Sequence, residues 1–320
     1  MRVAFMGTDH LAAVALEEIA KSRHEVVLVI TTPDRPKGRG QVVVRGEVAL
    51  LAEAYRIPVL QPETVKEPSV SEVLSVIKPD IIVVVSYGEY IPRSIYESPP
   101  YKSINLHPSL LPRWRGAAPV RYALMAGDEE TGVTVQYVHK KMDAGDILMQ
   151  KAVKIDPDDN HGTLCDKLYP IGAGLLLDVL DGLESGTINP TPQDETKVTK
   201  AFKIGKSDLW LDWSEPADRI RNRIRALAPT PGAKTIFRGK DFKILVALIS
   251  KEPLTGTCEP GMIAGISGFG PVVCCGRESL ILTSLQPSGK NPQSGRDFLN
   301  GYKPEVGERF EGMKEPEIRN

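Results

Sequence analysis

The stretch 103–121, S-I-N-L-H-P-S-L-L-P-R-W-R-G-A-A-P-V-R, decides how this chain is read. It opens as a short strand with alternating apolar residues and breaks at Pro108. Asn105 and His107 are two apart, and in a strand that spacing puts both on one face. An amide and an imidazole therefore leave the strand aimed the same way. A loop dense in Pro, Arg and Gly follows at once. Open α/β sheets carry their chemistry at such C-terminal strand ends.

Either side of this stretch, strands and helices alternate. Hydrophobic spacing predicts strands over 2–6, 25–31, 57–60, 80–86 and 132–138, and helices over 11–21, 48–55, 70–77 and 117–126. The run D-I-I-V-V-V-S at 80–86 suits a buried parallel strand. This rhythm predicts an α/β fold with a doubly wound, Rossmann-like sheet. The first turn, Gly7-Thr8-Asp9-His10, lacks G-x-G-x-x-G, so no dinucleotide site is expected there. The connection over 33–46 is too rich in Pro and Gly for a helix or strand, and too long for an ordinary loop. A basic loop of that length at a strand end is expected to be functional.

A long amphipathic helix is expected over 164–183, and the polar stretch 187–206 reads as a linker. Beyond it lies a helix at 216–228 with arginines at 219, 221, 223 and 225. Short strands follow at 234–237, 242–248, 261–266, 271–275 and 279–286. Their close spacing predicts a small β-barrel. The expected domains are therefore a Rossmann-like domain at 1–189, a linker at 190–207 and a barrel domain at 208–320.

Composition is that of an ordinary soluble protein: 41% hydrophobic and 25% charged over 320 residues, with no apolar run long enough to span a membrane. The N-terminal strand is too short for a signal segment. Four cysteines without C-x-x-C spacing argue for free thiols in a reducing cytoplasm and against a zinc site. The net charge of −1 conceals two basic segments, +3 over 33–46 and +7 over 197–243, on a body carrying −11. Basic segments on an acidic body suggest a polyanionic partner touching defined places.

A third polar group joins Asn105 and His107. Asp143, in K-M-D-A-G-D at 141–146, lies just beyond the strand expected at 132–138. If that strand neighbours the one at 103–107, Asp143 emerges at the same sheet edge. An Asp beside a His fixes its tautomer and favours its protonated form. An Asn N–H can donate to an oxyanion. Together they suit acyl or formyl transfer through a tetrahedral intermediate. No Ser or Cys nucleophile with a matching elbow is evident, so direct transfer is the simpler reading, and no metal is expected.

The wording around these residues resembles a known family. N-L-H-P-S-L-L-P-R-W-R-G-A-A-P (105–119) and M-D-A-G-D-I (142–147) resemble signatures of the 10-formyltetrahydrofolate-using formyltransferases. The resemblance extends to F-M-G-T (5–8), P-D-R-P-K-G-R-G (33–40), Q-D-E-T (193–196), S-L-Q-P-S-G-K (284–290) and D-F-L-N-G (297–301), and is greatest to the branch that formylates an aminoacylated tRNA. It implies 10-formyltetrahydrofolate as donor and methionyl initiator tRNA as acceptor. A small amine acceptor is the alternative. It implies a catalytic trio of Asn105, His107 and Asp143, and folate contacts from Ser109, Leu110, Leu111 and Pro112. It places tRNA contacts on the 33–46 loop through Arg35, Lys37 and Arg39, makes 1–189 the catalytic domain, and makes 208–320 an OB-like barrel that grips the tRNA stem. No protein partner is implied, and a cytoplasmic monomer is expected.

Overall fold

The aliphatic runs of the first half assemble into one seven-stranded sheet. It is described from a computed structural model that covers residues 1–37, 42–251 and 258–312. Its strands are β1 (Arg2–Gly7), β2 (Glu25–Ile30), β3 (Val59–Leu60), β4 (Ile81–Val85), β5 (Ser103–His107), β6 (Glu130–Tyr137) and β7 (Ile147–Lys154), in the spatial order β7-β6-β5-β4-β1-β2-β3. The five strands from β5 to β3 are parallel. All five residues of β4 are buried, as a strand covered on both faces requires. The order reverses at β1, whose neighbours are β2 and β4. This is the doubly wound topology expected from the rhythm of the chain.

The last two strands depart from that pattern. β6 runs antiparallel to β5, and β7 antiparallel to β6. The register pairs Asn105 with Gln136 and His107 with Thr134. Leu106, Val133 and Val135 alternate with these polar residues and are buried. One face of β5 and β6 is thus apolar and the other carries a polar row.

The 33–46 segment holds strand structure that its Pro and Gly content argued against. Arg35–Lys37 pairs antiparallel with Val42–Val44, with Pro36 opposite Val43. The three valines favour extended backbone, and a two-stranded ribbon has open edges on which a proline, lacking its N–H, costs no ladder bond. The polar stretch after the long helix (His161–Ser185) is also folded. Thr191 exchanges two backbone hydrogen bonds with Ile147, and Lys200–Ala201 pairs in parallel with Arg115–Gly116.

The chain divides into two compact units. The first holds Met1–Pro119, Glu130–Lys154 and Asp166–Ala201, and the second Val120–Glu129, Ile155–Cys165 and Phe202–Asn320. In the second, β8 (Ala233–Phe237), β9 (Lys240–Ile249), β10 (Ile263–Ile266), β11 (Pro271–Cys274), β12 (Ser279–Pro287) and β13 (Phe310–Glu311) form an antiparallel sheet in the order β10-β11-β12-β9-β8-β13. The two ends of that order meet: Phe310 N–H donates to Gly261 O at 2.8 Å, and Ile263 N–H to Glu308 O at 2.7 Å. The sheet therefore curls and closes, which fits the barrel expected from strand spacing and the OB-like form that the resemblance implies. Its interior is aromatic, with Phe237 stacked on Phe310 at 4.7 Å between centroids and edge-on to Phe298 at 5.4 Å. Trp213 is buried among them and donates through Nε1 to Thr235 Oγ1.

The cysteines correct an expectation. Cys258 and Cys274 are joined in a disulfide, with Cα atoms 5.9 Å apart, so only Cys165 and Cys275 keep their thiols. The pair is sixteen residues apart in sequence and becomes adjacent because Cys274 N–H and O both bond the Gly261–Met262 turn that follows Cys258.

Candidate active site

The three residues singled out in the sequence converge in the first unit. His107 is buried at the end of β5, and its Nδ1 stands 3.7 Å from Asp143 Oδ2. Its Nε2 lies 2.9 Å from Trp114 O. The Nε2 contact is of hydrogen-bond length, whereas the Asp143 carboxylate stands at ion-pair distance from Nδ1. Asn105, two residues back on the same face, is partly exposed. Its amide has no hydrogen-bond partner among the described residues. The free donor at the site is thus Asn105, while His107 and Asp143 are engaged with each other and with the backbone.

Asp143 reaches this place by an indirect route. Because β6 is antiparallel, the chain leaves it at Tyr137, which pairs with Ile104 at the start of β5. The following loop doubles back across the polar face. Tyr137 N–H bonds Asp146 O at 3.0 Å, and Gly145 packs onto the Tyr137 carbonyl so closely that a Cβ there would collide with it. Asp143 itself has φ 51°, a left-handed conformation that Asp tolerates better than most residues. Its carboxylate is held by two N–H groups. Gly116 N donates to Oδ2 at 2.8 Å and Gln136 Nε2 to Oδ1 at 3.3 Å.

The turn Ser109–Leu110–Leu111–Pro112 is locked by β6. Thr134 Oγ1 donates to Ser109 O at 2.6 Å and accepts from Leu111 N at 3.2 Å. Gln150 Nε2 donates to Leu111 O and to Thr134 Oγ1. The Ser109 hydroxyl is bonded to Arg113 O, and both Ser109 and Leu111 are buried. Most of the turn's polar groups are therefore taken. What it presents outward is apolar: Leu110 lies flush on Gly132, where a Cβ would meet its side chain, and Leu110 and Pro112 are only partly buried. That suits a flat, apolar ring system resting on a rigid floor.

Of the residues expected on the basic loop, Arg35 is exposed and faces Glu63 at 3.4 Å. Lys37 ends the first strand of the hairpin. Arg39 lies outside the described residues.

Three residues unassigned by sequence reasoning complete the site. Gln136 steers Asp143. Arg115 is nearly buried and donates through Nε and Nη2 to Gln193 Oε1, and through Nη2 to Glu195. Gln193 Nε2 in turn donates to Gln136 Oε1. The only signal for Gln193 was its place in the Q-D-E-T match.

Comparison with known proteins finds relatives over nearly the whole chain. Residues 1–180 match the formyl transferase family, and residues 203–303 match the formyl transferase C-terminal domain. The methionyl-tRNA formyltransferase of Geotalea daltonii is 41% identical over 310 residues, covering 97% of this chain and 98% of that protein. That of Bacillus subtilis strain 168 is 40% identical over 308 residues, covering 96% of each. A solved N-formyltransferase from Helicobacter canadensis, in complex with folinic acid and dTDP-3-aminofucose, has the same fold, with a TM-score of 0.66 at 18% identity over 90% of this chain and 99% of that one. The chain belongs to the formyl transferase family and, within it, to the methionyl-tRNA formyltransferases.

Proposed function

We propose that this protein transfers the formyl group of 10-formyltetrahydrofolate to the α-amine of methionine carried on initiator tRNA. The observation that carries this reading is the near-full-length likeness to methionyl-tRNA formyltransferases across both matched domains. A relative acting on a small amine would explain the trio but leave the basic segments without a role. The donor's pterin would rest on the apolar floor of Leu110 and Pro112.

The amine attacks neutral, and free α-amines lose their proton near pH ~7.7–8.0, so that step costs little. The formyl oxygen then becomes an oxyanion. Asn105 donates to it, and a protonated His107 beside it adds positive charge. The Asp143 carboxylate holds that imidazolium and accepts the amine proton, directly or through water. Asp143 passes that proton, directly or through water, to the folate nitrogen, which leaves as a neutral N–H amine as the carbonyl re-forms. Arg35, Lys37 and Arg39 contact the acceptor arm of the tRNA, and the barrel domain grips its stem. The protein acts as a cytoplasmic monomer with no protein partner.

The test is one incubation of purified protein with 10-formyltetrahydrofolate and methionyl initiator tRNA. Free methionine and elongator tRNA serve as controls. Formylmethionyl-tRNA formed only with the initiator supports the reading, and formylation of free methionine instead would overturn it. Arg39→Ala should flatten the salt dependence of tRNA binding, since each phosphate contact releases counterions.

A further inference from the structure

We infer that Gln193 is a positioning residue that holds the Asp143 loop in its working geometry through one oriented side-chain amide. The inference rests on the reading of Asp143 given above. Gln193 Oε1 accepts from Arg115 Nε at 2.9 Å and Nη2 at 2.7 Å. Its Nε2 stands 2.9 Å from Gln136 Oε1, 2.9 Å from Asp143 O and 2.7 Å from Gly145 O. The orientation is unambiguous. A guanidinium only donates and a carbonyl only accepts, so the oxygen must face Arg115 and the nitrogen the loop. Two hydrogens serve three oxygens, and one is shared.

That orientation propagates. Because Gln136 Oε1 is occupied by the Gln193 N–H, the Gln136 nitrogen must turn to Asp143 Oδ1, where it lies at 3.3 Å. Donation therefore runs one way, from Arg115 through Gln193 and Gln136 to the carboxylate. Gln193 also anchors the backbone on both sides of Ala144, the stretch that carries Asp143 back across the sheet. The charged groups around this relay are His107 opposite Asp143, Arg115 behind Gln193, and Glu195 on Arg115. Lys141 and His139 are near enough to Glu195 to act on it electrostatically.

The test uses the full chain. Gln193→Met removes every one of these bonds at similar volume. Gln193→Glu keeps the acceptor for Arg115 but sets a carboxylate against the carbonyls of Asp143 and Gly145. Both should lower kcat by about ten-fold or more while KM for tRNA moves by less than about three-fold, as expected when a reacting group is misplaced. The Gly116 amide, whose bond ends on Asp143, should exchange with deuterium about ten-fold faster. In an Asp143→Asn background, Gln193→Met should add almost nothing, because the two act as a unit. Fully additive losses, or unchanged exchange at Gly116, overturn the inference. Undiminished turnover by Asp143→Asn alone would instead overturn the reading of Asp143, while the exchange rate still decides whether Gln193 holds the loop. Should Gln193→Met not fold, Gln193→Glu supplies the same readouts with the Arg115 tie intact.

Discussion

Gln136 stands directly opposite Asn105 in the pairing of β5 with β6, and its amide reaches the Asp143 carboxylate. The group that steers the carboxylate and the group with a free N–H thus share one rung of one ladder. Their separation is set by strand spacing, about 4.5–5.5 Å between Cβ atoms, and not by loop conformation. Asn105, His107 and Gln136 all stand on strands. Of the trio only Asp143 comes from a loop, and that loop is tied back at Tyr137, Gln136 and Gln193.

Asn105→Ala should lower kcat by about 10²–10³-fold, the usual loss for one oxyanion donor, with tRNA affinity unchanged. Single-turnover formylation separates the two quantities. Full activity in this variant would remove Asn105 from the chemistry.

Gly145→Ala tests the route by which Asp143 arrives. A methyl group at 145 meets the Tyr137 carbonyl, so the loop must lift. A displacement near 1 Å at a reacting group costs about 10²-fold in rate. Gly145 is buried, so a loss of kcat accompanied by a lower melting temperature is the expected outcome.

His161 should leave a signature in the stability profile of the second unit. Burial, with Arg121 adding to it, pushes the imidazole down from 6.5 to about 4. Between those values the unfolded chain binds a proton that the folded one does not. This contribution to stability therefore rises with pH from about 4 to about 6.5 and is constant above. Urea midpoints across that range should show a steeper slope in the wild type than in His161→Asn.

The four arginines of the helix Ala217–Leu227 should divide by role. Arg221 and Arg225 donate to backbone carbonyls of the 156–159 segment, and Arg223 to Asp208 O. Arg219 is exposed and has no partner among the described residues. Arg219→Ala should weaken tRNA binding and lower its salt slope by about one, with stability unaltered. Arg225→Ala should instead cost stability, by about 1–3 kcal/mol, because the Asp159 carbonyl is left without a donor. Salt-dependent binding and urea unfolding of the two variants distinguish them.

Thiol titration of the unfolded, unreduced protein should count two groups and not four, because Cys258 and Cys274 are bridged. In the folded protein Cys275 should react very slowly, since burial, aided by Glu278, pushes its thiol up to about 12. Four rapidly titrating thiols would rule out the bridge.

By itself the sequence determined the local terms. Apolar runs with a period of two placed the strands, the i, i+2 spacing put Asn105 and His107 on one face, and the barrel followed from short strands between turns. These are decided within a few residues, by side-chain direction and backbone preference. Tertiary structure alone decided strand polarity and loop return. Nothing in 130–137 states that β6 runs against β5, because either direction buries the same alternate residues. The pairing of 35–37 with 42–44, the Cys258–Cys274 bridge and the Arg115–Gln193–Gln136 relay have the same origin. Each joins residues whose partners are chosen by the closing of the chain around a core, and that choice is made in space, where neighbours along the chain carry no record of it.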